Sequence, residues 1–266
     1  MASGEYVKQI VSDLRAEQDS LDDIVSRINR DAWSTPTPAE GWDVRDQIGH
    51  LTFFDERATE AVANPEAFLA GIQAASADID GYMVSHLDVA RQSEPAEVLS
   101  HWRRGRSAVL DALAQLDPST RLAWYGPPMS ARSFATARLM ETWAHGQDIV
   151  DGLKVNRTPT DRLRHIAFLG VRTMGWSFTV NGRDVPAEAV RISLTTPSGD
   201  RWLWNEDSTR NIVSGPAEDF CLVVTQRRHI LDTGLEVTGS VAEEWMSIAQ
   251  AFAGPPGEGR RAGMFS

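Results

Sequence analysis

The chain has 266 residues, 42 % of them apolar, with 20 glycines and 13 prolines, a composition that builds a packed globular protein of one large or two ordinary domains rather than a disordered chain. A formal net charge of −11 repels a phosphate backbone, and the basic clusters are short (Arg103, Arg104 and Arg106, then Arg227 and Arg228), so nucleic acid and anionic membranes are excluded as partners. The single cysteine, Cys221, forbids an internal disulfide, no apolar run is long enough to span a membrane, and the polar, amphipathic N-terminus has no signal-like apolar core; a cytoplasmic location is expected.

In chain order, Tyr6, Ile10 and Leu14, then Leu21, Ile24, Val25 and Ile28, recur at three- and four-residue spacing, the helical period. Two prolines, Pro36 and Pro38, stop that run. Asp43 is a good N-cap for a second helix from about Val44 to Thr59, with Trp42 before it placed to pack back as a hydrophobic staple. Asn64-Pro65 marks a loop or a helix start. A third helix is expected over about Ala75–Ala90 and a fourth over about Ala96–Leu116, followed by a loop through Gly126-Pro127-Pro128. The fifth covers about Ser133–Leu153 and ends near Gly152.

Beyond Pro159 the pattern changes. One helix over about Asp161–Ser177 precedes alternation at Val190, Ile192 and Leu194, which reads as a strand, with a turn at Ser198-Gly199-Asp200 and a partner strand at Trp202–Trp204. Short strands at Asn211–Ser214 and Leu235–Thr238, a helix over Ala217–Thr225, an amphipathic helix over Val241–Phe252 and a mobile tail from Gly254 complete the reading. The expected fold is mainly α: a helical bundle over residues 1–155 and a smaller α+β domain over 156–266.

The sharpest chemical signal is Glu141, His145 and Asp148 on the fifth helix, where four- and three-residue spacing stacks side chains on one face. A carboxylate and an imidazole so placed can grip one ion if a third ligand comes from elsewhere, and His50, mid-helix beside Phe53 and Phe54, is the candidate. The plainer reading is a solvated Glu–His pair and a hydrogen-bonded core histidine. His86, His101, His165 and His229 have no partner at ligand spacing, and Cys221 sits in an apolar run as a small hydrophobe.

The stretch from Thr37 to Asp46, with His50-Leu51 four residues on, resembles the entry to the second helix of DinB/YfiT-like metal-binding bundles. More narrowly, with Glu141, His145 and Asp148 it is similar to the actinobacterial mycothiol-dependent maleylpyruvate isomerase group, over about residues 8–153. Many DinB-type members use three histidines, so the glutamate favours the narrower group. The resemblance implies a four-helix-type bundle in which His50, Glu141 and His145 bind zinc or another divalent metal. It also implies an external low-molecular-weight thiol, mycothiol, as cosubstrate in thiol transfer to, or isomerisation of, a small electrophilic substrate. Asp148 is the candidate to orient His145. In the second domain the group carries an arginine after an acidic-apolar helix; Asp219 to Arg227 has that spacing, with Arg228 competing, although the Trp-rich, Gly-Arg ending is missing. The plainer reading of Arg227 is a basic cap on a helix C-terminus. Two rivals share the ligands: a zinc-dependent hydrolase of a small molecule, and a non-catalytic metal- or ligand-binding protein. Monomer and homodimer both remain open.

Overall fold

A computed structural model describes residues 3–75, 78–126 and 128–265. Pro127 in the expected loop, and Ser76 and Ala77 in the expected third helix, lie outside the described residues. Two compact units divide the chain, the first up to Asn156 and the second from Arg157.

The first unit is helical. It comprises α1 (Ser3–Val25), α2 (Val44–Ala63), α3 (Pro65–Ala75), α4 (Ile79–Gln92), α5 (Pro95–Ala114) and α6 (Ala131–Leu153), with a two-stranded hairpin, β1 (Arg121–Leu122) and β2 (Met129–Ser130), before α6. Helix α1 packs on α5 and α6, and α2 packs on α4, α5 and α6, which gives a bundle of α1, α2, α5 and α6 with α3 and α4 in the α2–α5 connection. The core joins Leu21 and Val25, Val44, Ile48 and Leu51, Val98 and Trp102, and Ile149.

Asp43 caps α2 in a reciprocal box, its carboxylate accepting from the Asp46 N–H while the Asp46 side chain accepts from the Asp43 N–H. The loop before it folds into a small bridge, Pro36 opposite Asp43, with the Thr37 N–H donating to the Trp42 carbonyl. Helix α6 ends at Leu153 with Lys154 in the left-handed region at φ 56°. Gly152, expected as the stop, lies inside the helix; a Cβ there would come within 2.8 Å of the Pro36 carbonyl oxygen, so its missing side chain lets the loop lie against α6. Helix α6 is buried on nearly every side yet carries Arg138, Thr142, Gln147 and Asp148 inside. The Arg138 guanidinium donates twice to Asp55 on α2, at 2.8 and 3.1 Å.

The second unit opens with α7 (Leu163–Arg172) and α8 (Met174–Val180), where one helix was expected; the break falls at Thr173. A four-stranded sheet follows in the order β4-β3-β5-β6, from β3 (Arg191–Thr195), β4 (Arg201–Trp204), β5 (Ile212–Pro216) and β6 (Glu236–Thr238). β3 is antiparallel to β4 and parallel to β5, and β5 is antiparallel to β6. Ile192 and Leu194 of β3 are buried, as the alternation predicts. Helix α9 (Ala217–Val224) packs on α7, where Gly170 removes a side chain that would meet Val224 at 2.9 Å. Helix α10 (Ser240–Ile248) stops four residues short of the expected Phe252. The buried Gln250 side chain leaves the helical path and donates to the carbonyls of Phe252, Gly254 and Pro255. These bonds, and that from the Gly263 N–H to Asp232, hold the tail expected to be mobile. Among the described residues, no helix is long and apolar enough to cross a membrane.

Candidate metal centre

His50 projects from the middle of α2, and Glu141 and His145 from consecutive turns of α6. One potential ligand atom from each lies within 4.8 Å of the other two. Glu141 Oε2 stands 3.3 Å from His145 Nε2. Two ligands about 2.0–2.1 Å from a tetrahedral ion lie about 3.3 Å apart, so this pair already has the edge length of a zinc site. Two imidazoles and a carboxylate are a borderline donor set that fits a divalent zinc-like ion and leaves a fourth position free.

Both histidines have a side-chain neighbour at Nδ1. His145 Nδ1 lies 2.6 Å from Gln47 Oε1, and His50 Nδ1 lies 3.2 Å from His86 Nε2. Asp148, expected from the sequence to orient His145, is buried on the same helix. Gln47, which the sequence did not single out, reaches the ring edge from the facing helix, and tertiary packing brings His86 on α4 to His50. Gln47 carried no sequence signal beyond its place one turn before His50.

The surroundings are aromatic. Trp42 packs back on its own helix against His50, at 5.1 Å, and also stacks on His145 of α6 at 6.0 Å and 17°, so it covers the centre. Phe54 meets His50 at 4.5 Å, and His86 lies flat on Phe53 at 4.5 Å and 15°. Burial pulls the His86 imidazole down to about 4, against the pull of Asp46, so the ring is neutral at pH 7. On its other side His86 lines an open groove of about 750 Å³ between α2, α4 and α5, with Phe53, Glu56, Val89, His101 and Arg104. There His101 Nε2 meets Glu56 at 2.6 Å.

Residues 14–150, which hold this whole constellation, match the family model of the mycothiol maleylpyruvate isomerase N-terminal domain. The chain belongs to that family. Two uncharacterized proteins of Mycobacterium tuberculosis, from strains CDC 1551 / Oshkosh and ATCC 25618 / H37Rv, are each 47 % identical to it over 250 residues, covering 94 % of this chain and 97 % of theirs. The crystal structure of a mycothiol-dependent maleylpyruvate isomerase aligns with a TM-score of 0.54 at 15 % identity, and that of a histidine-to-alanine mutant with 0.56 at 14 %. Each alignment covers 86 % of this chain and 93 % of the other. The shared fold is mainly helical, a DinB-like bundle followed by an α+β part.

Arg227 lies in the second unit, just beyond α9. Gln226 there is left-handed at φ 60°, and the N–H groups of Gln226 and Arg227 close back on Val223 and Leu222 in a Schellman turn. The Arg227 guanidinium donates to the Thr225 carbonyl at 2.7 Å, and that of Arg228 lies over the Phe265 ring. Cys221 is fully buried, and burial pushes its thiol well above the ordinary range.

Proposed function

We propose that this protein is a divalent-metal enzyme, with zinc as the metal, that uses mycothiol to add a thiol to, or isomerise, a small electrophile. The observation that carries the reading is the convergence of His50, Glu141 and His145, one ligand atom each, within 4.8 Å. Membership of a family named for mycothiol and maleylpyruvate supports the thiol and the substrate class. Zinc, when bound, supplies a Lewis-acid position at which a thiol becomes a thiolate at neutral pH. The protein's own residues hold and shape that position. His50, Glu141 and His145 would bind the ion, and Gln47 and His86 fix the two imidazoles. Trp42 and Phe54 exclude water from one side, which strengthens every charge interaction inside. The thiol must be external, because Cys221 is buried and held protonated. Arg227 is the candidate contact for an anionic group on thiol or substrate, by the bidentate fit of guanidinium to carboxylate.

Metal analysis and cobalt substitution test the reading. One equivalent of metal per chain is expected, lost in each of His50→Ala, Glu141→Ala and His145→Ala. Mycothiol added to the cobalt protein should produce a sulfur-to-metal charge-transfer band, and its oxygen analogue should not. A cobalt protein with no thiol band that hydrolyses an ester or amide would replace the transferase reading with the hydrolase. Silence in both assays would favour a binding protein.

A further inference from the structure

We propose that Gln47 and His86 are positioning residues that commit both histidines of the trio to ligation through Nε2. This rests on the metal reading above and adds what decides the tautomers. A neutral imidazole has one N–H and one lone pair, and the partner at one nitrogen decides which nitrogen is left for a metal.

On the His145 side, a one-way chain of hydrogen bonds fixes the answer. The Trp42 carbonyl can only accept, and the Thr37 hydroxyl lies 2.9 Å from it, so that hydroxyl donates there. Its remaining lone pair accepts from Gln47 Nε2 at 3.0 Å. With the amide nitrogen spent on Thr37, Gln47 presents Oε1 to His145 Nδ1 at 2.6 Å. A flipped amide would set an oxygen against the occupied threonine oxygen and an N–H against the imidazole. Oε1 only accepts, so Nδ1 carries the proton and Nε2 keeps its lone pair, facing Glu141. The anchor is firm. The Trp42 carbonyl also accepts the Thr37 N–H at 2.8 Å, and the loop rests against α6 at Gly152.

On the His50 side, His86 Nε2 lies 3.2 Å from Nδ1. For His50 to ligate through Nε2, its Nδ1–H donates and His86 Nε2 accepts, which puts the His86 proton on Nδ1. That atom is buried without a hydrogen-bond partner among the described residues. A buried unpaired donor is costly, and His86, 7 % exposed and clasped by Phe53 and Phe54, bears that cost where it completes a ligand's geometry.

The test needs two readouts. Nitrogen-15 NMR of the metal-free protein at pH 8 should find His50, His86 and His145 as Nδ1–H tautomers. Gln47→Leu should release His145, and His86→Phe should release His50, into tautomer mixtures. Each variant should weaken zinc binding in chelator competition by about 10–100-fold. His86→Gln, which can keep an acceptor at the same place, should recover most of the loss seen in His86→Phe, a rescue that a purely packing role would not give. An Nε2–H tautomer at either ligand in the unmodified protein would overturn the proposal, as would Leu and Phe variants with unchanged tautomers and affinity. An unmodified protein with all three Nδ1–H tautomers but no zinc affinity would overturn the metal reading while bearing out the tautomer assignment.

Discussion

The residue next to His50 shows how little room the centre leaves. Gly49 faces α4, where a Cβ would fall 2.5 Å from the Cβ of Ala90. Neither atom can rotate away, so Gly49→Ala must push α2 and α4 apart at the level of His50 and His86. The expected cost is about 1–3 kcal/mol, the range for overpacking a filled interior, read as a lower thermal midpoint. Weaker zinc binding should accompany it, since the His50–His86 bond spans the same two helices. The double variant Gly49→Ala, Ala90→Gly should restore metal affinity while stability recovers only in part, because glycine inside a helix costs up to about 1 kcal/mol. Unchanged stability in the single variant would show that the helices separate without cost. None of this was visible in the sequence, where Gly49 is one glycine inside an amphipathic helix.

Between elements, buried and half-buried charge sets the registers. Asp22 on α1 accepts from Arg103 at 2.8 Å and from Arg106 at 2.7 Å, both on α5. The hydrogen bond from Arg103 leads in holding its carboxyl below the ordinary carboxylate range, against desolvation and with help from the charge of Arg106. The sign of the linkage follows. A carboxylate whose folded pKa is depressed stabilises the fold above its unfolded value of about 3.9, and that stability is lost as pH falls through the lower folded value. Asp22→Asn should therefore destabilise by about 1 kcal/mol at pH 7, the upper end for a partly exposed pair. The gap between variant and parent should narrow as pH falls below the unfolded value of about 3.9. Denaturant melts at pH 7, 5 and 3 check this, and a gap independent of pH would mean that Asp22 acts by packing and not by charge. Helix spans were mostly legible, because apolar spacing and caps such as Asp43 are local. The division of α7 from α8 and the early end of α10 were not, because apolar spacing does not report them: the Thr173 hydroxyl bonds back to the Leu169 carbonyl, and the Gln250 N–H donates to the Ser177 hydroxyl, 73 residues away in the chain.

For the whole molecule, the ligand trio, Gln47, Thr37 and His86 all precede Asn156, inside the first compact unit. A fragment of residues 1–155 is expected to fold as a helical bundle and bind about one equivalent of zinc. Zinc at 100 times its Kd should raise stability by about 2.7 kcal/mol, because only the folded chain holds the site together. Circular dichroism and calorimetry with and without chelator check both claims. A soluble, helical, metal-free fragment would place part of the site in the second unit. If Arg227 contacts an anionic thiol, the fragment should bind metal yet respond more weakly to mycothiol than the full chain does.

By itself the sequence determined the helical first half, the change to an α+β second half, the acidic charge, and the residue types of the candidate centre. Those are local properties: a 3.6-residue period, a two-residue alternation, a Glu–His spacing of one helical turn. The tertiary structure alone decided that the neighbours of the two histidines are Gln47 and His86. Their nearness depends on how α2 packs between α4 and α6, and Gln47 and His145 are 98 residues apart in the chain. It likewise set Trp42, beyond packing back on α2, against His145 of α6. The side chain's direction there is set by the bridge between Pro36 and Asp43, and by an α6 lying close enough, at Gly152, to present His145 beneath it.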